Sequence, residues 1–297
     1  MYHNPVMLEK CIEGLNIKPD GVYVDVTFGG GGHSRAILER LTTGHLYAFD
    51  QDEDAAKNAF DDERFTFIPQ NFKYCKNFVQ LYHGGKVDGI IADLGVSSHQ
   101  FDTPEKGFST RFDGPLDMRM SQMTPNDAAT VVNTYDHAAL TRILRLYGEM
   151  QQPQLIASDI VMARDAEPIE TTEQLKAAVQ HRLPRGKENK VLAQLFQALR
   201  IEVNQELDAL CDLLSQCPDM LVSGGRLVVM SYHSLEDRLV KNFMKTGNAE
   251  GKDEKDFYGN LLTPYNIITR KPIVPTDEET ENNSRARSAK LRIAERK

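Results

Sequence analysis

The chain has 297 residues, 40% of them hydrophobic, and a formal net charge of −8. No apolar run reaches the ~18 residues of a membrane span, and MYHNPVMLEK lacks the basic-then-apolar form of a signal peptide, so a cytosolic protein is expected. The four cysteines (Cys11, Cys75, Cys211, Cys217) form no CxxC pair, which indicates neither a disulfide framework nor a metal site. The acidic balance argues against a protein that coats nucleic acid through charge alone, while leaving room for a local basic surface.

The spacing of Met7, Leu8, Cys11 and Leu15 predicts a short amphipathic helix. Val22–Val26 then reads as a buried strand running into Gly29-Gly30-Gly31-Gly32, with a helical pattern at Ala36, Ile37, Leu38 and Leu41. Strand, glycine turn, helix is the geometry in which backbone amides approach a nucleotide, and a side chain at those glycines would hold the ligand away. A plain tight turn is the competing reading, although it needs fewer than four glycines. His45–Phe49 is a second strand ending in Asp50-Gln51-Asp52. Asp50 lies about 20 residues beyond the glycines, where an α/β nucleotide site places a carboxylate for the ribose hydroxyls; Asp52 fits better as the cap of a helix over Glu53–Phe60. Phe65–Ile68 is a third strand, Phe72–Leu81 is helical in pattern, and Val87–Asp93 is a fourth strand ending on an acid. Strands alternating with helices predict a doubly wound parallel sheet, with Gly29–Gly32, Asp50, Phe72 and Asp93 at or just beyond its carboxyl ends.

The alternation then stops. Gly95–Met120 is rich in turn residues, and only helical patterns follow, around Asn126–Asn133, Asp136–Tyr147, Leu155–Ala163 and Thr172–His181. This predicts an inserted helical domain closed by Leu183-Pro184-Arg185-Gly186-Lys187, with Arg182, Arg185, Lys187 and Lys190 making its end basic. Leu192, Leu195, Phe196, Leu199, Val203, Leu207, Leu210 and Leu214 recur as one long core-facing helix. The strand Arg226–Met230 resumes the sheet, and Ser234 and Asp237 have capping-box spacing ahead of a helix over Leu235–Met244. Tyr232 and His233 fall at that strand's carboxyl end, as site residues or as a locally satisfied turn. Tyr265–Ile273 and Ser288–Ala294 are expected to form the closing hairpin around a mobile acidic linker, Pro275–Asn283. The terminal Arg285, Arg287, Lys290, Arg292, Arg296 and Lys297 are the best phosphate-contact candidates.

Three nucleotide ligands compete. His33-Ser34 follows the glycines without the lysine of a phosphate-cradling loop, and Ser34 stands where a dinucleotide fingerprint needs its third glycine. S-adenosyl-L-methionine needs a glycine-rich first turn, an acid after the second strand and an acid or amide after the fourth, and all three are present at Gly29–Gly32, Asp50 and Asp93.

The segments YHNPVML, DVTFGGGGHS, AFDQD, ADLGVSS, GFSTRFDGPLDMRM, LFQALRIEVNQEL, GGRLVVMSYHSLEDR and SRARSAKLRIAE, in this order over nearly the whole chain, resemble the bacterial RsmH/MraW methyltransferases. The resemblance implies S-adenosyl-L-methionine-dependent methylation of N4 of a cytidine in the 16S ribosomal RNA of the small subunit. It also implies a Rossmann-like class I methyltransferase sheet (1–105 and 189–297) interrupted by a helical, substrate-binding domain (106–188). Its cofactor residues carry over onto Gly31, Gly32, His33, Asp50, Phe72, Asp93 and Gln100; IPQNFKY, which holds Phe72, is a loose match. Asp93-Leu94-Gly95-Val96 replaces the [DN]PP[YFW] turn common in enzymes that methylate such amines. Asp93 is therefore expected between cofactor and amine, with Asp117, Arg119, Tyr232 and His233 shaping the base pocket; for Asp117 and Arg119 a mutually paired, self-bracing loop is the competing reading. A small-molecule methyltransferase and a non-catalytic RNA-binding module on the same fold are the alternatives.

Overall fold

The computed structural model describes residues 5–297. Tyr2–Asn4 of the YHNPVML segment lie outside the described residues. Contacts divide the chain into two compact units, one made of the chain through Gly95 together with Leu207–Lys297, the other of Val96–Glu206.

The first unit begins with helix α1 (Leu8–Leu15) and strand β1 (Val22–Asp25), followed by α2 (Gly32–Leu38), β2 (His45–Phe49), β3 (Phe65–Ile68), α3 (Cys75–Tyr82) and β4 (Val87–Asp93). These strands pair in parallel, with β1 between β2 and β4, so that Asp25 stands level with Ala48 and Ile91. Strand side chains alternate between two buried faces. Val24 and Val26 enter one apolar cluster with Phe49, Ile90 and Val229; Tyr23 enters the other with Cys11, Ile37 and Ile91. The chain turns outward from β1 in both directions, a switch point outside which ligands gather in such sheets. The helix expected at Glu53–Phe60 is a 3₁₀ segment, Glu53–Asn58, and Asp52 caps it by accepting from the Asp54 amide at 3.0 Å.

The second unit holds α4 (Ser98–Asp102), α5 (Ala128–Thr134), α6 (His137–Leu146), α7 (Pro153–Ala166), α8 (Thr172–Val179) and α9 (Glu188–Asn204) around their own core, which includes Leu140, Ile143, Ile160 and Leu175. It starts earlier and ends later than the stretch 106–188 expected from the pattern. The long helix is two. Gln205 adopts φ 50°, ending α9, and α10 (Glu206–Met220) follows. Its continuous apolar stripe conceals this break: Leu192, Leu195, Phe196, Leu199 and Val203 pack in the helical core, Leu210 and Leu214 in the sheet's core.

The sheet resumes with β5 (Leu221–Ser231), longer than Arg226–Met230 because the chain stays extended through an irregularity at Gly224 (φ 81°). Helix α11 (Ser234–Thr246) is capped differently from the expectation: His233 is the N-cap and Glu236 reaches back to it, while Asp237 bonds to Arg292 and Lys290. Strands β6 (Tyr265–Ile267) and β7 (Lys290–Arg296) close the sheet antiparallel, in the order β3-β2-β1-β4-β5-β7-β6. The acidic linker between them forms helix α12 (Asp277–Asn282), capped by Thr276. Among the described residues no helix is long and apolar enough to cross a membrane.

Candidate functional site

The turn after β1 is built on Asp25, which is 1% exposed. Its carboxylate accepts from the Thr27 amide (3.0 Å) and the Ser34 hydroxyl (2.7 Å), tying the strand end to the start of α2. Burial pushes its pKa up, opposed chiefly by the neighbouring His33. Gly29 and Gly31 have φ of 50° and 76°, the left-handed region that favours glycine. A Cβ on Gly31 would stand 2.9 Å from Phe60 Cζ, and one on Gly32 would meet Pro5 Cγ. The protein's own packing therefore already requires glycine at these two positions.

Asp50 follows β2 and binds the glycine turn directly: its Oδ2 accepts from the Gly29 amide and its Oδ1 from the Asp52 amide, each at 2.8 Å. Burial raises its pKa to about 6 against these two bonds. A carboxylate offers about four acceptor positions, so two remain. Asn58 donates to Gly29 O (2.9 Å), and Asn71 donates to Gln51 (2.8 Å), joining the loops after β3 and β2. Phe72, just beyond, is half-buried and packs against the sheet's core.

Asp93 closes β4. Its amide donates to Thr27 Oγ1, its Oδ1 accepts from the Tyr232 hydroxyl at 2.7 Å, and its Oδ2 stands 3.8 Å from His33 Nδ1. His33 is buried, with Nε2 3.3 Å from Val6 O. Burial raises the Asp93 pKa to about 6, opposed by His33 and the Tyr232 bond. Burial and Asp93 together push the Tyr232 phenol well above its ordinary value. The carboxyl ends of β1, β4 and β5 thus converge on one partly buried carboxylate with a phenol on one side and an imidazole on the other.

Of the remaining expected residues, Gln100, Asp117 and Arg119 are hydrogen-bonded locally, whereas both ring nitrogens of His233 are buried and make no hydrogen bond among the described residues. His233 Nε2 lies 3.2 Å from Glu236 Oε1. Gln100 is buried at the third position of α4, where its Oε1 accepts from the Ser97 amide (3.0 Å) and its own backbone amide donates to Ser97 Oγ (3.2 Å). Asp117 and Arg119 form a two-pronged pair, Nε to Oδ1 and a terminal nitrogen to Oδ2 at 2.8 Å each, across a left-handed Met118 (φ 60°). Gln100, Asp117 and Arg119 belong to the helical unit; Gly31, Gly32, His33, Asp50, Phe72, Asp93, Tyr232 and His233 belong to the sheet unit. Part of the basic terminus is engaged within the fold, while Arg287 and Lys297 are exposed. Arg292 is bonded to Asp237 at 2.6 Å, and Arg296 donates to the carbonyls of Pro218 and Pro264. In the helical unit Arg182 is held by buried Asp159, leaving Arg185, Lys187 and Lys190 exposed at its end.

Asp25, Thr27 and Glu236 escaped the pattern reading. A carboxylate inside the apolar run Val22-Tyr23-Val24-Asp25-Val26 was the available signal for the first, since buried charge needs specific partners. Thr27 and Glu236 had none, because their roles depend on contacts across 66 and 4 positions, to Asp93 and Tyr232.

The seven-strand order with its reversed last pairing, the glycine turn after β1 and the acids after β2 and β4 define a class I S-adenosylmethionine-dependent methyltransferase. The chain belongs to the MraW methylase family, whose profile matches residues 1–297. It is similar to proteins named ribosomal RNA small subunit methyltransferase H. That of Flavobacterium johnsoniae is 58% identical over 99% of this chain and 98% of the relative. That of Cytophaga hutchinsonii is 56% identical over the full length of both. Among solved structures, an rRNA methylase from Streptococcus thermophilus is 12% identical with a TM-score of 0.42, covering 97% of this chain and 93% of that one. A Streptococcus mutans putative methyltransferase in complex with SAH is 12% identical with a TM-score of 0.42, covering all of both chains.

Proposed function

We infer that this protein methylates N4 of a cytidine in 16S ribosomal RNA, with S-adenosyl-L-methionine as methyl donor and the small ribosomal subunit as substrate particle, in the cytoplasm. Family membership over the whole chain supports the reaction, and the observation that carries the chemistry is Asp93 held between Tyr232 and His33 at the switch point of the sheet.

The residues present fit the donor. Asp50 has two acceptor positions left for ribose hydroxyls after binding Gly29 and Asp52. Gly31, Gly32, His33 and Phe72 border the same loops of the sheet unit; Gln100, in the helical unit, is assigned from the family pattern alone. When bound, S-adenosyl-L-methionine supplies an electrophilic methyl group. The chain's part is orientation and proton removal. A cytosine amine is a poor nucleophile, its lone pair delocalised into the ring, so an acceptor at its N–H matters. Asp93 provides one whose pKa near 6 leaves it ionised at neutral pH while still basic enough to take the proton. Tyr232 fixes which Asp93 oxygen is engaged, leaving Oδ2 for the amine. His233, Asp117 and Arg119 are assigned to the base pocket. The helical domain, taken as the unit Val96–Glu206, is the RNA-binding element, with exposed Arg185, Lys187 and Lys190 as phosphate contacts. The target base must leave its stack to be methylated, which favours a loop or single-stranded region.

Transfer of labelled methyl groups to unmodified small subunits, free 16S RNA and nucleosides tests the assignment. Label recovered as N4-methylcytidine from subunits is expected. Label on nucleosides would indicate a small-molecule methyltransferase, and RNA binding without label a non-catalytic module.

A further inference from the structure

Glu236 is 2% exposed on α11, and nothing in the reaction outlined above uses it. A buried carboxylate is retained only where something compensates its lost hydration. Here the compensation is the junction that carries Tyr232. Glu236 Oε2 accepts from the Tyr232 amide at 2.9 Å and from the His233 amide at 3.4 Å, and Oε1 lies 3.2 Å from His233 Nε2. The carboxylate also sits in the first turn of α11, where the helix dipole favours negative charge. Tyr232 in turn places its hydroxyl 2.7 Å from Asp93 Oδ1. One side chain thus sets the backbone from which the Asp93 partner projects.

We propose that Glu236 is a positioning residue for methyl transfer: it locks the Tyr232-His233 turn so that the phenol stays on Asp93. The proposal rests on Asp93 being the proton acceptor. The charged and titratable groups facing Asp93 are His33 from α2, Tyr232 from the end of β5, Asp25 from β1, Cys11 from α1 and Glu236 from α11. Of these acids, Asp25 and Glu236 both push the Asp93 pKa up, and Glu236 does so while also holding Tyr232. Replacing Glu236 by Gln keeps an acceptor for the Tyr232 amide but removes the charge. Replacing it by Ala removes both.

The test compares Glu236→Gln, Glu236→Ala and Asp93→Ala for methyl transfer to small subunits across pH 5–9, with calorimetric binding of S-adenosylhomocysteine and thermal melting alongside. For Glu236→Ala, kcat is expected to fall roughly 10- to 100-fold with KM values changed by less than about threefold, because the lost contacts act on proton removal rather than on ground-state binding. For Glu236→Gln, most of kcat is expected to return at pH 8, since the side-chain oxygen still accepts from the Tyr232 amide. Wild-type kcat in Glu236→Ala would overturn the proposal. So would Gln and Ala variants equally impaired with a lowered melting temperature, which is the pattern of a purely structural cap. Normal methylation by Asp93→Ala would instead refute the acceptor assignment itself.

Discussion

Asp93 carries a measurable conflict between stability and function. Its carboxyl has a pKa of about 6 in the folded protein against an ordinary 3.8, with burial as the leading cause. A group whose folded pKa is raised favours folding most when protonated; its contribution is complete below the unfolded pKa and is lost as pH rises through the folded one. Two units correspond to about 3 kcal/mol at pH 8. The Asp93 side chain is 25% exposed, so solvent screening lowers the effect to roughly 1–3 kcal/mol. In Asp93→Asn, Oδ1 still accepts from Tyr232. The new amide faces His33 Nδ1, which offers a lone pair when Nε2 donates to Val6 O. The variant should therefore melt roughly 2–5 °C above the wild type at pH 8. The gap should shrink to about a third of that by pH 4.5, where the folded wild type has taken up its proton. Methyl transfer by the same variant should fall by roughly 10²–10⁴-fold. Differential scanning calorimetry of the ligand-free protein at both pH values reads the first effect. A variant less stable than wild type at pH 8, or a gap independent of pH, would refute the placement of a costly ionised carboxylate at this position.

Asp50→Ala should weaken S-adenosylhomocysteine binding by roughly 10- to 150-fold, the worth of hydrogen bonds to a charged acceptor, in isothermal titration calorimetry; unchanged affinity would remove the ribose assignment. The pH–rate profile of kcat/KM for methyl transfer should fall on the acid side with a midpoint near 6, because only ionised Asp93 accepts a proton, and Asp93→Asn should lack that limb among whatever activity it retains. Gly31→Ala should lower stability by about 1–3 kcal/mol in thermal or urea unfolding, since φ is 76° and the new methyl lies 2.9 Å from Phe60 Cζ.

The strands of the first half were legible because each is a short run of apolar residues bounded by turn residues. Phe65–Ile68 and Val87–Asp93 come out with the same limits in sequence and structure. Asp50 and Asp93 were legible for a related reason, as polar residues at the ends of such runs, where a parallel sheet gathers its ligands. The alternation of apolar and polar residues carries no record of the partner against which a face packs. That is why one unbroken stripe from Leu192 to Leu214 conceals a break at Gln205 and two separate cores. It is also why Ser234 and Asp237 matched a capping box that His233 and Glu236 occupy: cap spacing recurs by chance at adjacent registers, and the strand end decides between them.

By itself the sequence determined the class of sheet, the two acids at the carboxyl ends of its strands and, through its long motifs, the family. Those properties are local or patterned along the chain, so they survive in one dimension. Only the tertiary structure decided that Gly31 and Gly32 are held to glycine by Phe60 and Pro5, and that Arg292 and Arg296 of the basic terminus are engaged by Asp237 and backbone carbonyls. It alone also decided that Asp93 stands between Tyr232 and His33. A pairing between residues 139 positions apart leaves no periodic trace, and the burial that lifts a carboxylate to a pKa of about 6 exists only once both strands are in place.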